Sequence, residues 1–71
     1  MIRKGTEVKW KWGNGTATGK VEDTFDHEVT RELQGSEITK KGSSDDKALL
    51  IKQDDGDEVL KLTSEVERAD G

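Results

Sequence analysis

The sequence predicts an all-β fold: a small rolled sheet or barrel of about five short strands, carrying an extra polar β-hairpin. Three observations predict it. Apolar and polar residues alternate at period two, glycine-containing turns interrupt the alternation at short intervals, and no stretch keeps a helical period beyond a turn or two. A flat sheet cannot bury a single apolar face by itself, so a chain of 71 residues built from short strands must curl round. That length leaves room for one small core, and residues 1–71 are expected to form one domain.

The first hairpin is read from Glu7-Val8-Lys9-Trp10-Lys11-Trp12, where alternation puts Val8, Trp10 and Trp12 on one face and the lysines on the other. With Asn14-Gly15 as a two-residue type I′ turn, Trp12 faces Ala17, Trp10 faces Gly19 and Val8 faces Val21, so each indole meets a small residue. Val21 to Phe25 continues the second strand. Glu28–Leu33 and Ser36–Lys40 flank Gln34-Gly35 as a projecting polar hairpin that buries at most Val29, Leu33 and Ile38 and sets Glu32 against Glu37. Gly42–Asp46 is a returning loop. In Ala48–Leu62, a turn at Asp55-Gly56 places Ile51 opposite Leu60 and Leu49 opposite Leu62, an aliphatic patch for the first hairpin to cover. Thr63–Glu67 reads as one capped turn, with Ser64 as N-cap and Glu67 closing a capping box.

Composition limits the function classes. Only 28% of residues are apolar and mean hydropathy is −0.95, values that disorder would also give, so the regular alternation decides for a folded chain. There is no cysteine, which removes disulfides and thiolate metal sites. The longest apolar run is Ala48–Ile51, so no membrane span or signal peptide is expected and the default location is cytoplasmic. Net charge is −4 but unevenly placed: residues 1–20 hold five basic residues against Glu7, a balance of +4, leaving 7 basic and 15 acidic residues, −8, for the rest.

Gly5–Gly13, Gly15–Val21, Leu50–Asp57 and Val59–Lys61, together with the polar middle around Thr30-Arg31, Gly35 and Lys41-Gly42-Ser43, resemble the hypervirulence-associated Tudor-like domain family across nearly the whole chain. The resemblance implies an SH3-like, Tudor-type barrel, and it supplies no reaction, ligand or catalytic position. Tudor domains that read methylated side chains surround them with several aromatic rings; this chain has only Trp10, Trp12 and Phe25.

Alternation places both tryptophans on the buried face, where they read as core residues; Trp12, beside the turn at the rim, is the better binding candidate of the two. Lys9 and Lys11 project from the opposite face with Arg3, Lys4 and Lys20 available to join them, and Arg31 sits in the polar hairpin. Lysines on an exposed strand face also discourage edge pairing without binding anything. Asp54-Asp55-Gly56-Asp57-Glu58 lacks the ligand spacing of a calcium loop and reads as turn chemistry. His27, the only histidine, stands between Asp26 and Glu28 with no second ligand or nucleophile, so it reads as exposed. A barrel this small fills itself with side chains. The expectation is a non-enzymatic binding module without cofactor or metal, its partner a protein met at the rim near Trp12 and the Val29–Lys40 hairpin. The alternative is a nucleic-acid binder resembling the KOW small barrels, using Lys9, Lys11, Lys20 and Arg3, although the acidic whole opposes polyanions.

Overall fold

A computed structural model describes residues 2–69. Its strands are β1 (Glu7–Trp12), β2 (Gly15–Phe25), β3 (Glu28–Leu33), β4 (Ser36–Lys41), β5 (Ala48–Gln53), β6 (Glu58–Leu62) and β7 (Glu67–Arg68), with one 3-10 turn, η1 (Thr63–Glu65). All pairings are antiparallel: a five-stranded sheet in the order β6-β5-β2-β1-β7 and a separate β3–β4 hairpin. The fold is therefore all-β, five strands plus a hairpin, but the sheet is not closed: β6 and β7 are its two edges.

The first hairpin turns one residue earlier than expected. Gly13 and Asn14 are the turn, and of these only Gly13 has positive φ (58°), which rules out type I′ and suits glycine at the first central position. The register becomes Trp12↔Gly15, Trp10↔Ala17 and Val8↔Gly19. Moving the turn by one residue shifts the pairing by two, so every side chain keeps its face while its partner changes, and each indole still meets a small residue.

The β5–β6 connection departs further. Gly56 N–H donates to the Gln53 carbonyl at 2.9 Å, Gln53 N–H to the Asp57 carbonyl at 2.7 Å, and Gly56 has φ 93°: a three-residue loop rather than a two-residue turn. The added residue slips the register by one, to Ile51↔Val59, Leu50↔Leu60 and Ala48↔Leu62. A one-residue slip exchanges faces, so the single aliphatic patch expected at Ile51, Leu60, Leu49 and Leu62 does not form. Its members divide between two clusters on opposite sides of β5.

One cluster holds Val8, Trp10, Val21, Leu49, Ile51 and Val66, with Ile2, Ala17 and Val59 at its edge. The other holds Val29, Ala48 and Leu60, joined by Phe25, Leu33, Ile38, Leu50 and Leu62. Glu22 creates this division within β2: Val21 pairs Ile51 but Asp23 pairs Leu50, so Glu22 is an extra residue, a β-bulge that sends Val21 to the first cluster and Phe25 to the second. The β3–β4 hairpin, expected to project, instead lies on the sheet and covers the second cluster with Val29, Leu33 and Ile38. Its register does set Glu32 against Glu37. Val8, Val21, Leu49 and Ile51 are the largest fully buried side chains, and each such burial stabilises by roughly 1.5–3 kcal/mol.

Capping of the last turn also differs from expectation. Neither Ser64 nor Glu67 caps it; Glu65 accepts the Leu62 N–H at 2.8 Å, and Asp46, from the loop before β5, accepts the Ser64 N–H (2.9 Å), the Ser64 hydroxyl (2.7 Å) and the Thr63 hydroxyl (2.5 Å). Glu65 also receives the Lys40 ammonium at 3.1 Å, tying β4 to the end of the sheet. The hydroxyls of Thr63 and Ser64 hold the Asp46 carboxyl below its ordinary 3.8. Burial pushes Glu65 up, but the Leu62 N–H and Lys40 outweigh it and leave this carboxyl below its ordinary 4.5. A carboxyl with a lowered folded-state pKa adds stability that is present above its unfolded pKa and is lost as pH falls through the folded one. Asp46→Asn keeps an acceptor oxygen but loses the charge. Its melting temperature should fall below wild type at neutral pH, and the gap should narrow as pH drops below 3.8. Thermal melts across the acid range measure this; a gap of constant size would refute the assignment.

Candidate binding groove

Trp10 and Trp12 point to the same side of β1, yet Trp10 is 5% exposed and Trp12 is 74% exposed. Trp10 lies against the first cluster, whereas Trp12 is the last residue before the turn and overhangs the end of that cluster. An indole left in water keeps its apolar faces open to a partner.

Trp12 borders a groove of about 680 Å³ built by three separate segments. The first hairpin contributes Trp10, Trp12 and Ala17; the β3–β4 tip contributes Leu33, Gln34, Ser36, Ile38 and Lys40; β6 and its loop contribute Asp55, Asp57, Glu58, Val59, Leu60 and Lys61, with Gln53. The volume lies in the range of ligand-binding clefts. Sequence reasoning expected a barrel filled by its own side chains and missed the groove, whose walls come together only when the β3–β4 hairpin folds back onto β6. Its one local signal was a tryptophan placed next to a turn.

The groove's charged groups are unevenly engaged. Lys40 is held by Glu65, with contacts of 3.1 and 3.2 Å to its two oxygens. Asp55 accepts the Asp57 N–H at 3.0 Å, which orders the loop. Glu58 beside it, through hydrogen bonding first and charge repulsion last, together with burial, pushes the Glu22 carboxyl above its ordinary 4.5 despite Lys52 nearby.

The remaining candidates lie elsewhere. Lys9, Lys11 and Lys20 share the opposite face of the sheet, where Thr18 and Thr16 are the cross-strand partners of the first two. Carboxylates border them: Glu67 pairs with Lys9, Glu7 with Lys20, and Lys20 is followed across the sheet by Lys52 and then Glu58. Arg31 is on the hairpin face turned towards the sheet, its guanidinium 5.2 Å from the Phe25 ring centroid. His27 is exposed, 5.8 Å edge-on from the same ring, with Nδ1 3.2 Å from Asp26; the His27 hydrogen bond holds the Asp26 carboxyl below its usual range. Among the described residues no group of three or more His, Cys, Asp or Glu side chains is placed to hold a metal ion. Among the described residues no helix is long and apolar enough to cross a membrane.

Residues 5–66 match the family model described as "Hypervirulence associated proteins TUDOR domain". No curated protein and no solved structure matches the chain.

Proposed function

The chain belongs to the hypervirulence-associated Tudor domain family, and from that premise, which makes it a small binding module, we propose that it is non-enzymatic and binds another protein through the groove beside Trp12. The observation that carries this reading is the contrast within one strand: of two tryptophans on the same face, one completes the core and the other stands 74% exposed over an open groove. Exposed aromatic rings beside aliphatic walls are what protein partners use as anchors. The groove's lining has no histidine or cysteine to act as base or nucleophile, and His27 lies outside it. Nucleic acid is the weaker reading. The lysine face that would serve it is bordered by Glu7, Glu67 and Glu58, which oppose phosphate.

Selection from a random peptide display library tests the reading. The wild-type protein should enrich a sequence family, and Trp12→Ala should weaken binding of the enriched peptides by about tenfold or more, equivalent to about 1.4 kcal/mol, while its thermal stability stays within about 0.5 kcal/mol of wild type. Equal retention by the Trp12→Ala protein would remove the groove from consideration.

A further inference from the structure

We infer that the groove's occupant is a basic, extended polypeptide segment, with one lysine or arginine lying across Trp12 and further cations facing Asp55, Asp57 and Glu58. The inference rests on the reading of the groove as a protein-binding site and specifies its partner's chemistry.

Two features of the groove converge on a cation with a long aliphatic stem. The first is the ring. Trp12 presents an indole that the described residues leave largely uncovered, and indole is the aromatic side chain that attracts cations most strongly. It is not part of a cage: Trp10 is buried in the first cluster, and Phe25 belongs to the second, where Arg31 already lies over it. Recognition through one ring therefore needs help from elsewhere. The aliphatic walls at Leu33, Ile38 and Val59 supply part of it, since lysine and arginine bury their methylene stems along apolar surface while the head group stays polar.

The second feature is charge. Asp55, Asp57 and Glu58 form one wall, and the groove's two lysines do not balance them, because Lys40 is spent on Glu65. Within the lining Lys61 remains against three carboxylates, and outside it Lys52 is the cross-strand neighbour of Glu58. A cationic segment relieves the repulsion among these carboxylates, whereas an acidic or phosphorylated one increases it. Net charge of −4 favours approach of the same partners from a distance.

The test titrates the isotope-labelled protein with three unstructured peptides of equal length and apolar content, one rich in Lys and Arg, one rich in Glu and one uncharged, and with a mixed-sequence RNA. The basic peptide alone should shift the Trp12 indole and the Val59 and Lys61 amides. Binding should weaken about tenfold in the Asp55→Asn, Asp57→Asn, Glu58→Gln triple variant, and markedly when salt is raised from about 50 to about 200 mM. Asn at position 55 keeps an acceptor for the Asp57 N–H, so the loop should remain ordered. The spectrum of the free triple variant checks this directly, and the single Glu58→Gln variant should weaken binding in the same direction. Equal binding of the uncharged or acidic peptide in the groove would overturn the charge assignment and leave the protein-binding reading standing. Silence with all three peptides would overturn both. RNA shifts clustered on Lys9, Lys11 and Lys20 without any peptide response would transfer the function to the lysine face. Concentration-dependent shifts at Trp12 in the protein alone would mark the occupant as a second copy, whose own first hairpin is basic, and overturn the inference of a foreign segment.

Discussion

Trp10→Ala should destabilise the protein by about 3–5 kcal/mol, the usual cost of truncating a large buried aromatic side chain. Trp10 is 5% exposed and packs in one cluster with Val8, Val21, Leu49, Ile51 and Val66. Its removal leaves a cavity in the larger of two small cores, and the β-sheet around it cannot collapse far without losing the β1–β2 register. A domain of 71 residues possesses only about 4–11 kcal/mol in total. The variant is therefore expected to be largely unfolded at physiological temperature or to melt far below wild type. Trp12→Ala, two positions along the same strand, is the control and should leave the melting curve almost unchanged. Urea unfolding of both proteins measures the difference, and similar midpoints for the two variants would show that the packing around Trp10 is wrong.

The second large effect is expected at Gly42→Ala. A Cβ at that position would stand 2.5 Å from the Phe25 carbonyl oxygen, 2.8 Å from the Ala48 nitrogen and 2.9 Å from the His27 carbonyl oxygen. All three are backbone atoms, so no side chain can rotate away, and the end of β2, the start of β3 and the start of β5 must separate. Gly42 N–H also donates to that His27 carbonyl at 3.1 Å, so the shift would strain a bond at the base of the hairpin, next to the Glu28–Lys41 pair. A loss of about 3 kcal/mol is expected, at the upper end of overpacking effects. Because the hairpin tip forms one wall of the groove, peptide binding should fall together with stability. Gly15→Ala is the comparison: its Cβ would meet only the Trp12 carbonyl, at 3.9 Å, and should be tolerated. A Gly42→Ala protein that melts like Gly15→Ala would refute the close approach of the three segments.

Where a feature depends on residues next to one another in the chain, it was legible before any coordinates. Alternation put Val8, Trp10 and Trp12 on a buried face, which holds for the first two but not for Trp12 at the strand's end, and put Lys9 and Lys11 on an exposed one; the Gln34-Gly35 turn placed Glu32 opposite Glu37. The choice between turns that differ by one residue was not legible. Gly13-Asn14 and Asn14-Gly15 are both good hairpin turns, and the selection falls to packing that sets Gly19 across from Val8 on one side and Gln53 on the other. The extra residue in the Asp54–Gly56 loop and the bulge at Glu22 belong to the same class. Each costs little locally, but each reverses the face of every residue beyond it, and only the whole core rewards one arrangement over another.

The candidate site shows the same division. Trp12 could be singled out from its place beside a turn, and the β3–β4 segment from its polarity; that the two border one groove could not, because it depends on that hairpin folding over the second cluster rather than projecting. By itself the sequence determined the identity of β1 to β6, the two opposite faces of the first hairpin and the uneven charge. Those properties follow from period-two alternation, turn chemistry and composition, which act over a few residues. Only the tertiary structure decided the register of two hairpins, the division into two clusters, the anchoring of η1 by Asp46 and the meeting of Trp12 with Asp55, Asp57 and Glu58. These are contacts between segments far apart in the chain, selected by the joint burial of both faces of β5, and no local preference encodes them.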